Sequence, residues 1–250
     1  MGNRQMTLEV KNLVGGYSQI PVLKDISFAV KPGNVVGLIG LNGAGKSTTI
    51  NHIIGLLTPQ KGSIKLNGVT LREDSQAYKS HLAYIPETPI LYEELTLKEH
   101  IELSIMAYGL DNDRAWKKAN ELLKIFRLDN KLDWFPANFS KGMKQKVMIV
   151  CAFLTESDFY VIDEPFLGLD PLAINDLLEL IVSEKERGAS VLMSTHVLAT
   201  AEKYCDWFIL LNKGEIKTQG TMVELRQAYN KSDASLDEIY LGLTKDEVTR

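Results

Sequence analysis

The run Val35-Val36-Gly37-Leu38-Ile39, passing directly into Gly40-Leu41-Asn42-Gly43-Ala44-Gly45-Lys46-Ser47-Thr48, constrains the fold of this chain more than any other stretch. An apolar run with no alternation marks a strand buried on both faces, as in a parallel sheet, so other layers must cover the sheet on either side. The glycines behind it let the backbone wrap an anion with its N–H groups pointing inward, and a helix is expected to open directly after them. In this spacing Lys46 can neutralise the outer phosphates of a nucleotide and the Ser47 hydroxyl can ligate Mg²⁺, with Asn42, Gly43, Gly45 and Thr48 completing the cradle. The competing reading, a glycine-rich turn with a chance lysine, does not explain the strand before it or the helix after it.

At 250 residues the chain is long for one average domain and short for two, which favours a single α/β domain with a lobe inserted into it. Its 45% hydrophobic content suffices for a sizeable core, and a net charge of -4 is too small to steer it to nucleic acid or acidic lipid. Cys151 and Cys205 are the only cysteines, in no metal-ligand spacing. No stretch reaches the roughly 20 apolar residues that a spanning helix needs. Residues 1–11 carry charge without the apolar segment of a signal peptide. The expectation is a chain that is soluble, or peripheral to a membrane at most.

Residues 8–13 and 26–30 read as short strands, and Asn67-Gly68 signals a hairpin turn. Beyond Tyr84-Ile85-Pro86 the pattern becomes helical, starting at Thr96-Leu97-Lys98-Glu99, a capping box followed by Leu97, Ile101, Ile105 and Tyr108 on one face. Residues 114–126 and 140–154 give two more helices. Strand character at 159–162 and 190–193, around a helix over 172–187 that stops at Gly188, gives a β-α-β rhythm. After Gly220 two short helical patterns, 222–229 and 236–243, remain; they could serve packing or a dimer contact.

Two further segments carry chemistry. The strand at 159–162 delivers Asp163-Glu164 at its carboxyl end, the edge where open α/β sheets bind ligands. Asp163 is placed to hold Mg²⁺, and Glu164 to orient and polarise a water attacking the γ-phosphate. Alone, the pair also reads as a solvated acidic turn; beside the phosphate loop that reading loses weight. GTPases commonly lack the second acid, so its presence favours ATP hydrolysis. Phe139-Ser140-Lys141-Gly142-Met143-Lys144-Gln145 lies at an expected helix start, where unpartnered N–H groups and the helix dipole favour an anion. A second anion site in a chain that already has one suggests two subunits closing on one nucleotide. Ser140 as a plain helix cap uses the same N–H groups, so both readings can hold at different stages of a cycle.

In combination, the phosphate loop, the serine-glycine segment, the Asp-Glu strand end, Gly168-Leu169-Asp170 and Ser194-Thr195-His196 resemble ABC-type ATPases over nearly the whole chain. The look is most similar to the Ecs-type ATP-binding subunit of bacterial exporters, judged from Ala83-Tyr84-Ile85-Pro86-Glu87-Thr88-Pro89, the segment from Lys141 to Lys146, and Glu164-Pro165-Phe166-Leu167-Gly168-Leu169-Asp170. The resemblance implies a P-loop NTPase (RecA-like) α/β core with an N-terminal antiparallel β subdomain and an inserted α-helical subdomain, together one ABC ATPase domain. Its parts would be about 1–87 and 155–220 for the core with the β subdomain, about 88–154 for the helical subdomain, and about 221–250 for a C-terminal helical extension.

The resemblance also assigns roles where this chain matches. Tyr17 would stack on adenine, although by itself it reads as a turn tyrosine after Gly15-Gly16. His196 would contact the γ-phosphate and join Glu164 and Lys46 as the catalytic set, while His52, His81 and His100 receive no role. Ser140 and Gly142 would bind the γ-phosphate held by the opposite subunit. Asp170, which alone reads as a helix start before Pro171, would cross the dimer interface. Glu87 stands where most relatives carry a glutamine touching Mg²⁺; a carboxylate can ligate the ion but cannot donate an amide hydrogen bond. The serine-glycine segment departs too, since Lys141 and Met143 replace a glycine and a glutamine.

The implied cofactors are ATP and Mg²⁺. The implied partners are a second copy of the chain and an EcsB-like transmembrane permease subunit, with no nucleic acid, at the inner face of the cell membrane. Pro89-Ile90-Leu91-Tyr92 would then border a groove for a cytoplasmic helix of the membrane subunit, or be ordinary core of the helical lobe. Two other classes stay open from sequence: a soluble ABC-type ATPase acting on ribosomes or DNA, and a small-molecule phosphotransferase with a phosphate loop.

Overall fold

In the computed structural model, which describes residues 7–230 and 232–245, side-chain parity organises the first strands. The expectations for residues 1–11 and for the extension beyond 245 therefore lie partly outside the described residues. Strand β1 (Leu8–Gly15) buries Leu8 and Val10, then passes a bulge at Lys11-Asn12 and buries Leu13. β2 (Leu23–Val30) pairs with it antiparallel, Leu8 opposite Val30 and Gly15 opposite Leu23. The phosphate-loop strand β3 (Val35–Ile39) is buried along its whole length, as its unbroken apolar run requires, and α1 (Lys46–Ile53) follows the glycines. β4 (Lys61–Leu66) joins the other edge of β1, giving a three-stranded sheet in the order β2-β1-β4.

The Asn67-Gly68 turn forms with both residues at positive φ, 48° and 85°, and Leu66 and Val69 exchange two 2.9 Å backbone bonds. The strand expected to return from it does not form. Only the single bridge at Val69 pairs, because Thr70 starts a turn in which Glu73 accepts from both the Thr70 N–H and hydroxyl at 2.9 Å. Helix α2 (Ser75–Ser80) and strand β5 (Leu82–Ile85) come next.

The capping box at Thr96 and Glu99 opens α3 (Leu97–Tyr108) with both of its bonds in place. Leu97, Ile101 and Ile105 are buried, and the Tyr108 hydroxyl donates to the Leu82 carbonyl at 2.8 Å, tying the helix to β5. Asp111 caps α4 (Asn112–Phe126) and Ser140 caps α5 (Lys141–Phe153). Then follow β6 (Phe159–Asp163), α6 (Pro171–Glu186) and β7 (Ser190–Thr195), the β-α-β rhythm of the sequence. The chain ends through α7 (Leu198–Tyr204), β8 (Trp207–Asn212), β9 (Glu215–Gly220), α8 (Met222–Ala228) and α9 (Leu236–Lys245). Among the described residues no helix is long and apolar enough to cross a membrane.

The large sheet has six strands in the order β5-β6-β7-β3-β8-β9, parallel except for β9 at its edge. Its two faces are set by alternation. Tyr160 and Ile162 of β6, with Ala83, Ile85, Val191 and Met193 from its neighbours, pack under α3 to α6. Phe159 and Val161, with Leu38 and Leu192, pack against α1 and the small antiparallel sheet. A third cluster gathers Ile39, Phe208 and Leu210 under α7, α8 and α9. By parity Asp163 follows Phe159 and Val161 and so leaves β6 on the α1 side. On the opposite face the buried carboxylate of Glu184 takes bonds from Arg187 at 2.7 Å and from the Tyr160 hydroxyl at 3.3 Å, as a buried charge must.

Strands β8 and β9 are absent from the sequence reading. Their turn is Lys213-Gly214, at φ 49° and 78°, a lysine-glycine pair between the apolar residues 208–211 and residues 215–220. Gly214 is pressed into the structure. Its N–H donates to the Ala44 carbonyl of the phosphate loop at 2.9 Å, its carbonyl accepts from Lys24 N–H at 2.8 Å, and a Cβ here would lie 1.7 Å from the Val22 oxygen. Gly214→Ala is expected to destabilise the fold by about 2 kcal/mol or more, since it meets both backbone strain and a backbone clash. The midpoint of urea unfolding checks this.

Candidate nucleotide-binding site

The carboxyl ends of β3, β6 and β7 converge on one cleft of about 820 Å³. Of the residues expected to contact nucleotide, Tyr17, Asn42, Gly43, Gly45, Lys46, Ser47, Thr48, Glu87, Glu164 and His196 all line it. Lys46 is 6% exposed, at the first turn of α1, and its Nζ donates to the Gly40 carbonyl at 2.8 Å and meets Glu164 Oε1 at 3.3 Å. The lysine thus closes the loop on itself while facing the acid across the cleft.

Glu164 is the hub of the opposite wall. Its backbone sits in the left-handed region at φ 45°, an uncommon conformation for a side chain of this size and one associated with functional positions. The turn is held by the Glu164 N–H, which donates to Ser194 Oγ at 3.0 Å. From there Glu164 Oε2 reaches His196 Nδ1 at 2.7 Å and accepts the His196 N–H at 3.3 Å, while Oε1 faces Lys46. One carboxylate therefore bridges the phosphate-loop lysine and the histidine after β7.

Asp163 lies beneath this bridge, 4% exposed, with its carboxylate taking hydrogen bonds from the Ser194 and Ser47 hydroxyls. Burial pushes its carboxyl above the usual range; the two serine bonds act against that shift, and the charges of Glu87 and Glu164 reinforce it. Burial first, then the charges of Asp163 and Glu87, push the Tyr84 phenol well above its ordinary value. Ser47, Asp163 and Glu87 thus form a group of oxygen donors around the foot of the loop. At the rim, Tyr17 is 65% exposed and its hydroxyl accepts from Asn51 Nδ2 at 2.9 Å, which fastens the ring to α1. An exposed, tethered ring face is suited to stacking on a purine.

Ser140, Gly142 and Asp170 do not line this cleft. Ser140 caps α5 by accepting from Met143 N–H at 3.3 Å. Asp170 caps α6 through Ala173 N–H at 2.9 Å and receives Lys146 Nζ at 2.8 Å, a bond that holds its carboxyl below the usual range. Gly142 joins the two: a Cβ there would lie 2.3 Å from the Gly168 carbonyl, so the start of α5 leans on the loop between β6 and α6. The glycine is required within this one chain, apart from any contact with phosphate.

Several contributors were not singled out in the sequence. Val22, Leu41, Phe166, Leu167 and Val197 supply apolar walls. Phe166 and Leu167 could have been found by their position just past Pro165, beyond the two acids; Val22 has no local signal. Gln145, 1% exposed on α5, donates to the Pro86 carbonyl at 3.1 Å and so ties α5 to the residue before Glu87. The 89–92 cluster divides between its two expected roles: Leu91 packs on the core under the helices, whereas Ile90 and Tyr92 are exposed.

Comparison with known proteins agrees with this geometry. The family model described as ABC transporter matches residues 23–167. The chain is 63% identical over 240 residues to the ABC-type transporter ATP-binding protein EcsA of Bacillus subtilis (strain 168), covering 96% of this chain and 97% of that protein. It is 44% identical to the uncharacterized ABC transporter ATP-binding protein YthP of the same organism, over 96% and 98% of the two chains. A solved ATP-binding subunit of an ABC transporter superposes with a TM-score of 0.93 at 57% identity, covering 95% of this chain and 99% of that one. With this fold, this cleft and these relatives, the chain belongs to the ABC transporter family as an ATP-binding, ATP-hydrolysing subunit of the EcsA type.

Proposed function

We propose that two copies of this chain close head to tail over two molecules of ATP with Mg²⁺, and that closure drives a separate EcsB-like transmembrane permease, in export, from the inner face of the membrane. The observation that carries this reading is the division of the phosphate-binding groups. The cleft gathers Lys46, Glu164 and His196 within one network, while Ser140 and Gly142 stand at another helix end outside it. A neighbour's copy of that helix end would complete the site. Asp170, on the loop against Gly142, would cross at the same seam. Residues 88–154 would be the lobe that carries Ser140, with Ile90 and Tyr92 as the exposed apolar contact for the permease.

The donors suit Mg²⁺, a hard cation that takes few protein oxygens and fills its octahedron with phosphates and water. Ser47 and Asp163 would hold it, with Glu87 within reach, and the bound ion would neutralise charge building on the β- and γ-phosphates. The chain's own residues supply the rest. Arriving phosphates compete for Lys46, which loosens its contact with Glu164 and leaves that carboxylate to orient water and accept its proton. The water oxygen bonds to the γ-phosphorus as the bond to the β-γ bridging oxygen breaks, giving ADP and inorganic phosphate. His196, held against Glu164, faces the phosphoryl oxygens.

Three outcomes are expected. Because its folded-state pKa is raised, ionised Asp163 costs stability at neutral pH, and that cost fades as pH falls through the raised value. Asp163→Asn should therefore raise the melting temperature of the nucleotide-free protein while removing Mg²⁺-dependent turnover; calorimetry and phosphate release measure the two effects. Lys46→Ala and Ser140→Asp should each be inactive alone, the latter because aspartate keeps the cap but repels phosphate. Mixing them should restore turnover, since one composite site of the mixed pair is intact; a mixture as inactive as its parts would rule out trans completion. Finally, Glu164→Gln purified from native membranes with ATP should bring down a multi-span protein, and recovery of ribosomes or DNA instead would overturn the transport reading.

A further inference from the structure

The C-terminal helix α9 lies far from the phosphate loop in sequence, yet one of its side chains is bonded to that loop. Tyr240, 5% exposed, places its hydroxyl oxygen 2.8 Å from the backbone nitrogen of Leu41, whose N–H donates to it. Leu41 is the residue after Gly40, at the start of the loop, and it lines the nucleotide cleft. Its carbonyl is already used within the loop, accepting from Ala44 N–H at 3.0 Å.

We propose that Tyr240 is a positioning residue for nucleotide binding, with its hydroxyl on α9 fixing the first limb of the phosphate loop through the Leu41 amide. Besides the Ala44 bond to the Leu41 carbonyl and the Thr49 bonds to the Gly45 carbonyl, three contacts tie the loop. Lys46 holds the Gly40 carbonyl, Gly214 holds the Ala44 carbonyl, and Tyr240 holds the Leu41 N–H. The first is internal to the loop and the second comes from a turn of the same sheet. The third comes from α9 and holds the entering limb at the Leu41 N–H, the group that neither of the other two reaches.

The helix is built to hold this position. Leu236, Ile239 and Tyr240 fall on one face and pack on Ile39, the last residue of β3, and on Phe208 and Leu210 of β8. Its first turn is anchored separately: Glu202 of α7 accepts from Leu236 N–H at 2.9 Å and from Arg226 Nη2 at 3.1 Å. Since α7 begins just beyond His196, α9 touches both the phosphate loop and the helix that continues from the histidine side of the cleft. A loop already held in its binding shape loses less freedom when ATP enters, and the gain appears as affinity.

The inference rests on ATP binding in this cleft, and the test separates the two. In the full chain, Tyr240→Phe removes the hydroxyl and keeps the packed ring. ATP affinity with Mg²⁺ is measured by calorimetry, and the urea midpoint is measured without nucleotide. The expected result is an ATP Kd raised about fivefold, with KM raised alike, kcat at saturating ATP unchanged and the urea midpoint lowered only slightly, by the loss of one neutral hydrogen bond. An affinity equal to the parent's would overturn the inference. So would a fall in affinity that comes with a large fall in the urea midpoint, because that is the behaviour of a packing residue. A parent chain that fails to bind ATP would instead sink the reading of the cleft.

Discussion

A loop whose backbone N–H groups must stay available for a ligand can spend few of them on holding itself together; here the Ala44 N–H, on the Leu41 carbonyl, is one so spent. The phosphate loop of this chain meets that constraint by borrowing. Its carbonyls are taken by Lys46, Ala44 and the Gly214 turn, and its entering N–H is taken by a phenol from the C-terminal helix. Much of the surrounding architecture follows from that need. The β8–β9 hairpin closes beside the loop, α9 docks on the end of β3, and the buried strand beneath fixes where the loop begins.

The second organising element is the alternation of β6. One parity sends Tyr160 and Ile162 under the helical layer, and the other carries Phe159, Val161 and finally Asp163 to the side of α1. An acid at that register needs no special loop to meet Ser47; the sheet delivers it. Glu164 does need one, and its left-handed backbone turns its carboxylate into the cleft instead of back along the strand. Two neighbouring acids thus receive different surroundings, one buried under serine hydroxyls and one set between a lysine and a histidine.

What was legible in the sequence was what is local. The unbroken apolar run before Gly40, the capping box at Thr96 and the acids ending β6 each state their structure within a few residues, and the cleft gathers the residues they nominate. What was not legible depends on distant approach. Gly214 is a glycine because Val22 and Leu23 crowd it, and Tyr240 earns its place only once α9 has folded back over β3. Gln145 looks like one more polar residue of α5 until its amide is found on the Pro86 carbonyl. The Asn67-Gly68 turn failed in the opposite way. Its local signal was correct, but the strand it promised lost to a Thr70-Glu73 turn that satisfies the same backbone.

The contact of Gly142 with the Gly168 carbonyl has a temporal consequence. Gly168 lies on the loop that leaves Glu164, the acid of this chain's own cleft, whereas Gly142 opens the helix that the proposed pair would offer to a neighbour. With no Cβ between them, the two backbones have almost no slack. In a head-to-tail pair, a displacement of one copy's acid loop would reach the helix end that serves the other copy's nucleotide, without passing through the body of either subunit. Two such sites could not keep independent clocks: the moment at which one releases its product would be an input to the rate at which the other fires.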